Sequence, residues 1–314
     1  MDAAAPLEHY LKFFRNSIGV LLIVVPAAAL SDMHVVVIEG LSGEPRYAEE
    51  FGEQIAAIES AAHSLTGDNR IRVFRADEAS RDAVLQYFAI LRTDVSSSDQ
   101  VALYLIGHGS YDDHEYKFNI RGPDLTGEDI TGMLDSLPST SQLLVNTSSA
   151  SGAIADLAQN DNRMLILATR SGVERHATRF GNYFAAALND PTADTDKNQI
   201  VSAAEAFSFA ERQVDDYFER NGQLATEHAR MEGDRADRFG LARLGAVRPS
   251  TDDTVLTGLI AERDALNARI ESLRLDQENM TPEDYRSELL RNMIGLAETE
   301  EAIEEREKEL GVEN

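Results

Sequence analysis

Three short stretches of this chain carry side chains able to do chemistry. In "LIGHGS" the imidazole of His108 stands between Gly107 and Gly109 at the end of an apolar run. A histidine moves protons near neutral pH, and flanking glycines let a ligand approach the backbone closely. In "LLVNTSSASGAI" an apolar run enters a cluster of hydroxyls, Ser148, Ser149 and Ser151, ahead of Gly152. A nucleophile is presented this way, with the amides of the next helix placed to hold an anion. A serine that merely caps a helix has the same pattern. The third stretch, "DTDKNQIVSAAE", puts Asp194, Asp196, Asn198, Ser202 and Glu205 at the ligand positions of an EF-hand calcium loop, with Val201 at its apolar position. Gln199 stands where such a loop has glycine for its sharp turn. Calcium binding with weakened affinity is one reading, and an acidic loop capping the next helix is the other.

These residues need elements to position them, and the apolar pattern supplies candidates. Strands are predicted at "HVVVIEG", "RIRVFRA", "QVALYLIGHGS", "SQLLVNTSSASG" and "RMLILATRSG", with amphipathic helices between them. Strands alternating with helices imply right-handed βαβ crossovers, hence an α/β fold with a mostly parallel sheet and helices on both faces. Ligands of such sheets sit at the carboxyl ends of the strands, so the loops after Ile106, Asn146 and Ala168 share one rim. In the last of these, Arg170, Glu174, Arg175 and His176 are candidates to line a substrate cleft, against the ordinary reading as surface salt bridges. Glu227 and His228 read as structural. Asn146 fits a glycosylation pattern, but its place at a strand end on the rim argues against modification.

Together, "GHGS" and "SASG" resemble the blocks of the caspase-like cysteine peptidases, particularly the legumain-type branch. There one strand ends in His-Gly, the next ends in a Cys-x-Ser-Gly-type turn, and both meet at the carboxyl rim. The order of strands and helices agrees from about residue 34 to residue 245. The resemblance implies a caspase-like three-layer fold, His108 as general base and acid, Gly109 as an oxyanion-hole amide, and Ser149 at the position of the nucleophilic cysteine. The chain has no cysteine. A thiol reacts because a few per cent is already thiolate at neutral pH, whereas a serine needs a well-aligned base, usually oriented by a third group. Asp112, Asp113 and Glu115 follow His108, and none is marked as that orienter. Three functions follow: a catalytically impaired peptidase homologue that binds peptide or protein; an active hydrolase using a Ser149–His108 dyad; and a calcium-stabilised, non-enzymatic interaction module.

The remaining sequence frames this domain. Lys12 and Arg15 precede an apolar run from Ile18 and small residues ending at Ala29 to Ser31, the order of a secretory signal peptide. At roughly 14 apolar residues the run is short for a membrane span, which needs about 20. Residues 1–31 are therefore expected to be a leader cleaved close to Asp32, with an uncleaved anchor as the alternative, and the protein to be exported, in the periplasm. Residues 32–247 form the peptidase-type domain and "GAVRPSTDD" a linker. Residues 254–314 repeat apolar positions every seven residues, at Leu266 and Leu273 and at Leu289, Leu296, Ile303 and Leu310. That spacing predicts a coiled-coil helical hairpin fit for packing or self-association. A net charge of -26 excludes a phosphate-backbone partner, because nucleic-acid affinity comes from Lys and Arg displacing counterions.

Overall fold

The computed structural model describes residues 32–244 and 253–310. The expected signal peptide and most of the linker lie outside the described residues. In chain order the elements are β1 (Met33–Glu39), α1 (Pro45–His63), β2 (Ile71–Phe74), α2 (Arg81–Asp94), β3 (Gln100–Ile106), β4 (Gly109–Tyr111), β5 (Tyr116–Phe118), β6 (Leu125–Thr126) and α3 (Gly127–Asp135). They continue with β7 (Ser141–Asn146), α4 (Ala155–Ala158), β8 (Arg163–Leu167), α5 (Phe180–Ala187), β9 (Ile200–Ser202), α6 (Ala203–Arg220), β10 (Arg230–Glu232), β11 (Gly240–Arg243), α7 (Thr254–Leu275) and α8 (Pro282–Leu310).

The main sheet has the order β10-β8-β7-β3-β1-β2. The five strands from β8 to β2 are parallel, and β10 closes one edge antiparallel. Each central strand is a continuous apolar run because both of its faces are covered. On one face Val35 and Val37 pack with Phe51, Ile55 and Ile58 of α1 and with Phe180 and Phe184 of α5. On the other, Val36 and Ile38 pack with Val84 and Phe88 of α2 and with Ile130 and Leu134 of α3. Alternate residues of one strand thus feed two cores, each buried aliphatic side chain adding roughly 1.5–3 kcal/mol of apolar burial.

Two small sheets carry no clear signal in the sequence: the meander β4-β5-β6 and the pair β9-β11. Their strands are two to four residues long, too short for alternation to stand out. Helix starts are chemically marked. Thr126 and Ser202 each form a capping box, with Asp129 and Glu205 respectively. Thr281 Oγ1 accepts from Asp284 N at 3.2 Å at the start of α8.

The helices α7 and α8 pack along one another. Asp253 caps α7, accepting from Leu256 N at 2.8 Å, and its carboxylate receives Arg306 from the far end of α8 at 2.7 and 3.2 Å. The helices therefore run antiparallel. That guanidinium holds the Asp253 carboxyl down to about 2. Leu266, Ile270 and Ile303 are buried, whereas Leu310 is exposed. Among the described residues no helix is long and apolar enough to cross a membrane.

Candidate functional site

The register of the parallel ladder brings the rim loops together. Leu105 of β3 stands beside Asn146 of β7, and Asn146 beside Leu167 of β8, so the chain leaves all three strands at one level. The loop after β1 joins them through backbone packing: a Cβ on Gly107 would lie 2.8 Å from the Cα of Gly40. Only two glycines let these loops touch.

His108 is held by the segment that follows β1. Its Nε2 lies 3.2 Å from the carbonyl oxygen of Ser42, and its ring meets Tyr47 and Phe51 edge-on at 4.6 and 5.3 Å between centroids. A carbonyl only accepts, so this contact selects the tautomer with the proton on Nε2 and leaves the Nδ1 lone pair available as a base. The orienting group is thus a backbone carbonyl. Asp112 instead accepts from the amides of His114 and Glu115, and Asp113 pairs with Arg175.

Of the three serines, two are engaged. Ser148 Oγ lies 2.6 Å from Tyr116 Oη and donates to Asn146 Oδ1 at 2.8 Å; Asn146 Nδ2 in turn donates to Tyr116 Oη at 2.8 Å. Burial pushes the Tyr116 hydroxyl up to about 12, with the bonds to Ser148 and Asn146 acting in the opposite direction. Ser151 Oγ lies 3.2 Å from Thr169 Oγ1 and accepts from Thr169 N. The Ser149 side chain has no hydrogen-bond partner among the described residues, although the residue is only 5% exposed. No hydrogen bond joins it to His108.

The turn is shaped by backbone constraints on either side. Ala150 sits at φ +55°, in the left-handed region, which costs a side-chain-bearing residue on the order of 1–3 kcal/mol. Its N–H donates to the Glu174 carbonyl at 2.8 Å, offsetting part of that strain. A Cβ on Gly109 would stand 2.5 Å from Ser148 Oγ and 2.6 Å from the Ser149 carbonyl oxygen. The histidine block and the serine block therefore touch through Gly109. Asn119 N donates to the His108 carbonyl, so His108 is a hydrogen-bonded position of the β4-β5 ladder and Gly109, opposite Phe118, is not. The Gly109 amide accordingly points away from β5.

The third rim loop is braced from the β10 side. Both oxygens of Glu174 are engaged: Oε1 with His228 Nδ1 at 2.7 Å, Oε2 with the amides of Arg170 at 2.9 Å and His228 at 3.2 Å. Arg170 is exposed. Glu227 is 3% exposed and accepts from the amides of Arg179 and Phe180 at the start of α5. Burial raises its pKa, the two amides opposing. Thr178, just before them, donates through its hydroxyl to the Thr147 carbonyl. Glu227 thus anchors α5 and, through Thr178, the serine turn. Ser42, Tyr116 and Thr169 were not among the residues singled out from sequence; Asn146 drew notice only for a glycosylation pattern, and Glu227 was read as structural, the role its contacts give it. Ser42 was the most accessible to that reasoning, because its loop also follows a parallel strand.

The acidic loop lies beyond α5, about 12 Å along the helix at 1.5 Å per residue. Asp194, Asp196 and Glu205 offer carboxylate oxygens within 4.8 Å of one another, a group able to hold a metal ion. Asp194 accepts from the amides of Asn198 and Gln199 at 3.2 and 2.9 Å. Gln199 takes φ +66°, the conformation in which glycine is unstrained. Glu205 Oε1 accepts from Thr195 N at 2.8 Å, and its Oε2 from Ser202 Oγ at 2.8 Å. Ser202 is therefore the N-cap of α6, and the Asn198 Oδ1 accepts from Ile200 N at 2.7 Å. Burial, with Glu205 and Asp196 close by, raises the Asp194 pKa against the pull of its two amides. A cation would relieve that repulsion.

A cleft of about 870 Å³ opens elsewhere, between Gln159–Leu165 and Glu232–Arg235 where β8 begins. It is at the amino end of the strand, opposite the His108 rim, and no serine or histidine lines it. The side chains able to act as nucleophile or base, Ser149 and His108, lie at the rim and not at this cleft.

These features define an α/β protein with a mostly parallel central sheet flanked by helices. No family model matches the chain, and no curated protein matches it. Among solved structures, the chain is similar to protein GSU0716 from Geobacter sulfurreducens at 12% identity, covering 68% of this chain and 98% of that one with a TM-score of 0.45.

The raised pKa of Glu227 has a testable sign. A carboxyl whose folded pKa lies above its unfolded value contributes stability below the unfolded value and loses it as pH rises through the folded one. Relative to Glu227→Gln, the native chain is expected to gain stability as pH falls from 7 towards 5, read from urea unfolding at each pH. A constant difference between the two chains overturns this assignment.

Proposed function

We propose that this protein is an exported homologue of the caspase-like, legumain-like peptidases that binds peptide or protein segments at the His108–Ser149 rim and is impaired in hydrolysis. One observation carries this reading: Ser149 Oγ stands unpartnered on the turn that touches the histidine block, yet no hydrogen bond links it to His108. A serine without an aligned base has almost no alkoxide at neutral pH, whereas a thiol at the same place ionises by itself. The Ser42 carbonyl favours the tautomer with a basic Nδ1, the Gly109 amide is not used by its hairpin, and Arg170 is exposed in the third rim loop. The engagement of Glu174 by His228 favours a bracing role for that side chain over direct substrate contact.

The test compares peptide-library cleavage by the native chain, Ser149→Ala, Ser149→Cys and Ser149→Cys/His108→Ala. Native protein and Ser149→Ala are expected to be equally inactive, Ser149→Cys to gain turnover by at least about tenfold, and removal of His108 to erase that gain. Robust native cleavage lost in Ser149→Ala would establish the active serine hydrolase instead.

Calcium is the ion we assign to the acidic loop. The available donors are all oxygen, as a hard cation requires, and the three carboxylates of Asp194, Asp196 and Glu205 would be its holders, with Asn198 and Ser202 secondary because they carry no charge. The ion would tie α5 to α6 and would take no part in the rim chemistry. Millimolar calcium is expected to raise the native melting temperature, through preferential binding to the folded state, and to leave Asp194→Ala unchanged. A native melting temperature insensitive to calcium sinks the assignment.

The helices α7 and α8 fit a self-association arm of coiled-coil type. Leu290, Met293 and Ile294 are exposed on α8, while Gly295 of the same helix faces Leu266 of α7. The native chain is expected to show twice its monomer mass by light scattering, and Leu290→Glu/Ile294→Glu to be monomeric. A monomeric native chain at tens of micromolar removes this role.

A further inference from the structure

The first strand enters the sheet beside a buried acid that lacks a strong cationic partner. The side chain of Asp99, at the start of β3, is 9% exposed. Its Oδ1 accepts from the backbone N of Asp32 at 3.1 Å, and its Oδ2 from Ser96 N at 2.7 Å. Among the described residues no lysine or arginine pairs with it. The imidazole of His34 is 3.9 Å away, and burial lowers the pKa of that ring against the pull of Asp99, which keeps it mostly neutral at pH 7. Arg70 is turned instead to the carboxylate of Asp32.

The residue whose amide meets this acid is the one at which the leader is expected to end. Ala29 and Ser31 are the small residues that a leader peptidase reads just before its cut. We propose that hydrolysis of the peptide bond before Asp32 creates an α-ammonium group that docks on Asp99, so that removal of the leader turns a neutral amide contact into a buried ion pair securing β1. In that step water supplies the hydroxyl of the new carboxyl terminus of the leader, and the freed amine of Asp32 takes up a proton. The site rests on the exported reading given above.

The physical gain follows from charge. A hydrogen bond between two ionised groups is roughly twice as strong as a neutral one, and a buried carboxylate without a cation gains most from acquiring it. The Asp99 carboxylate and the carboxylate of Asp32 itself favour the protonated amine, and Arg70, paired with that second carboxylate, opposes it, while the lowered pKa of His34 leaves that ring mostly neutral at pH 7. The α-amino pKa therefore rises above its ordinary value of about 7.7–8.0. Stability from the pair is full below that ordinary value and fades as pH rises through the raised one.

Two measurements test the proposal separately. The full chain, expressed with its leader in a Gram-negative host, is expected to yield a periplasmic product whose intact mass and amino-terminal sequence begin at Asp32; a different start, or a retained leader, overturns the processing site. Independently, the chain from Asp32 to Asn314 is released from a fusion by a protease that leaves no extra residue, and is compared with the same chain preceded by Gly-Ser. The free-Asp32 chain is expected to melt about 2–4 °C higher at pH 7, with the difference gone by pH 10. Asp99→Asn is expected to erase the difference at every pH. Equal melting of the two native chains at pH 7 overturns the docking even where processing occurs at Asp32.

Discussion

Everything at the rim depends on the shared polarity of five parallel strands, four of them buried on both faces. Because β1, β3, β7 and β8 run the same way, each crossover must return across one face or the other of the sheet, and each carboxyl end opens at one level. The strands have little freedom to slide: a one-residue shift would move Val35 and Val37 out of the α1 and α5 core and into the α2 and α3 core. That rigidity lets loops from four strands meet by backbone contact. Gly40 against Gly107, and Gly109 against the serine turn, are approaches that no side chain could tolerate.

Within this frame the serine turn is over-determined on three sides. Tyr116 holds it from the β4-β5-β6 meander with Asn146 at the end of β7 bonded to both, Thr169 from the β8 end, and Thr178 from the start of α5. Such bracing can maintain the left-handed Ala150, whose strain of a few kcal/mol at most is smaller than the combined contacts around it. Only Ser149 is left without a partner. Its oxygen is not among the fully buried polar atoms, so it stays open to solvent or to a molecule that meets it there. The His108 imidazole, in the adjoining loop, is oriented by a carbonyl and so keeps its Nδ1 lone pair.

The acidity of the chain is distributed unevenly in its consequences. Several carboxylates pair or cap: Asp129 with Arg81, Asp135 with Arg163, Asp253 with Arg306, Glu205 with the start of α6. Two places are electrostatically incomplete. Around Asp194 like charges crowd a buried carboxylate, and at Asp99 a buried carboxylate has two amides, the Ser96 hydroxyl and an imidazole, but no lysine or arginine among the described residues. These hydrogen bonds nevertheless win at Asp99, whose pKa is lowered although burial pushes the other way, whereas at Asp194 the two amides lose. The difference is the neighbouring carboxylates, which only Asp194 faces so closely.

The α/β class, the strand order along the chain and the common rim were legible because fully buried strands are continuous apolar runs and polarity follows from the helices between them. His108 and the hydroxyl cluster stood out for the same reason, as polar residues at the ends of such runs. The capping box of α6 was also present in the sequence, although Ser202 and Glu205 fit a metal loop equally well on spacing alone. Tertiary structure decided what spacing could not. Which serine is free depends on Tyr116 and Thr169, which arrive from distant strands, and the group that orients His108 is a carbonyl of Ser42, which no side-chain pattern encodes. Residue types and periods determine where elements form; the choice among equivalent hydroxyls and carboxylates is made by partners that only packing brings within hydrogen-bond distance.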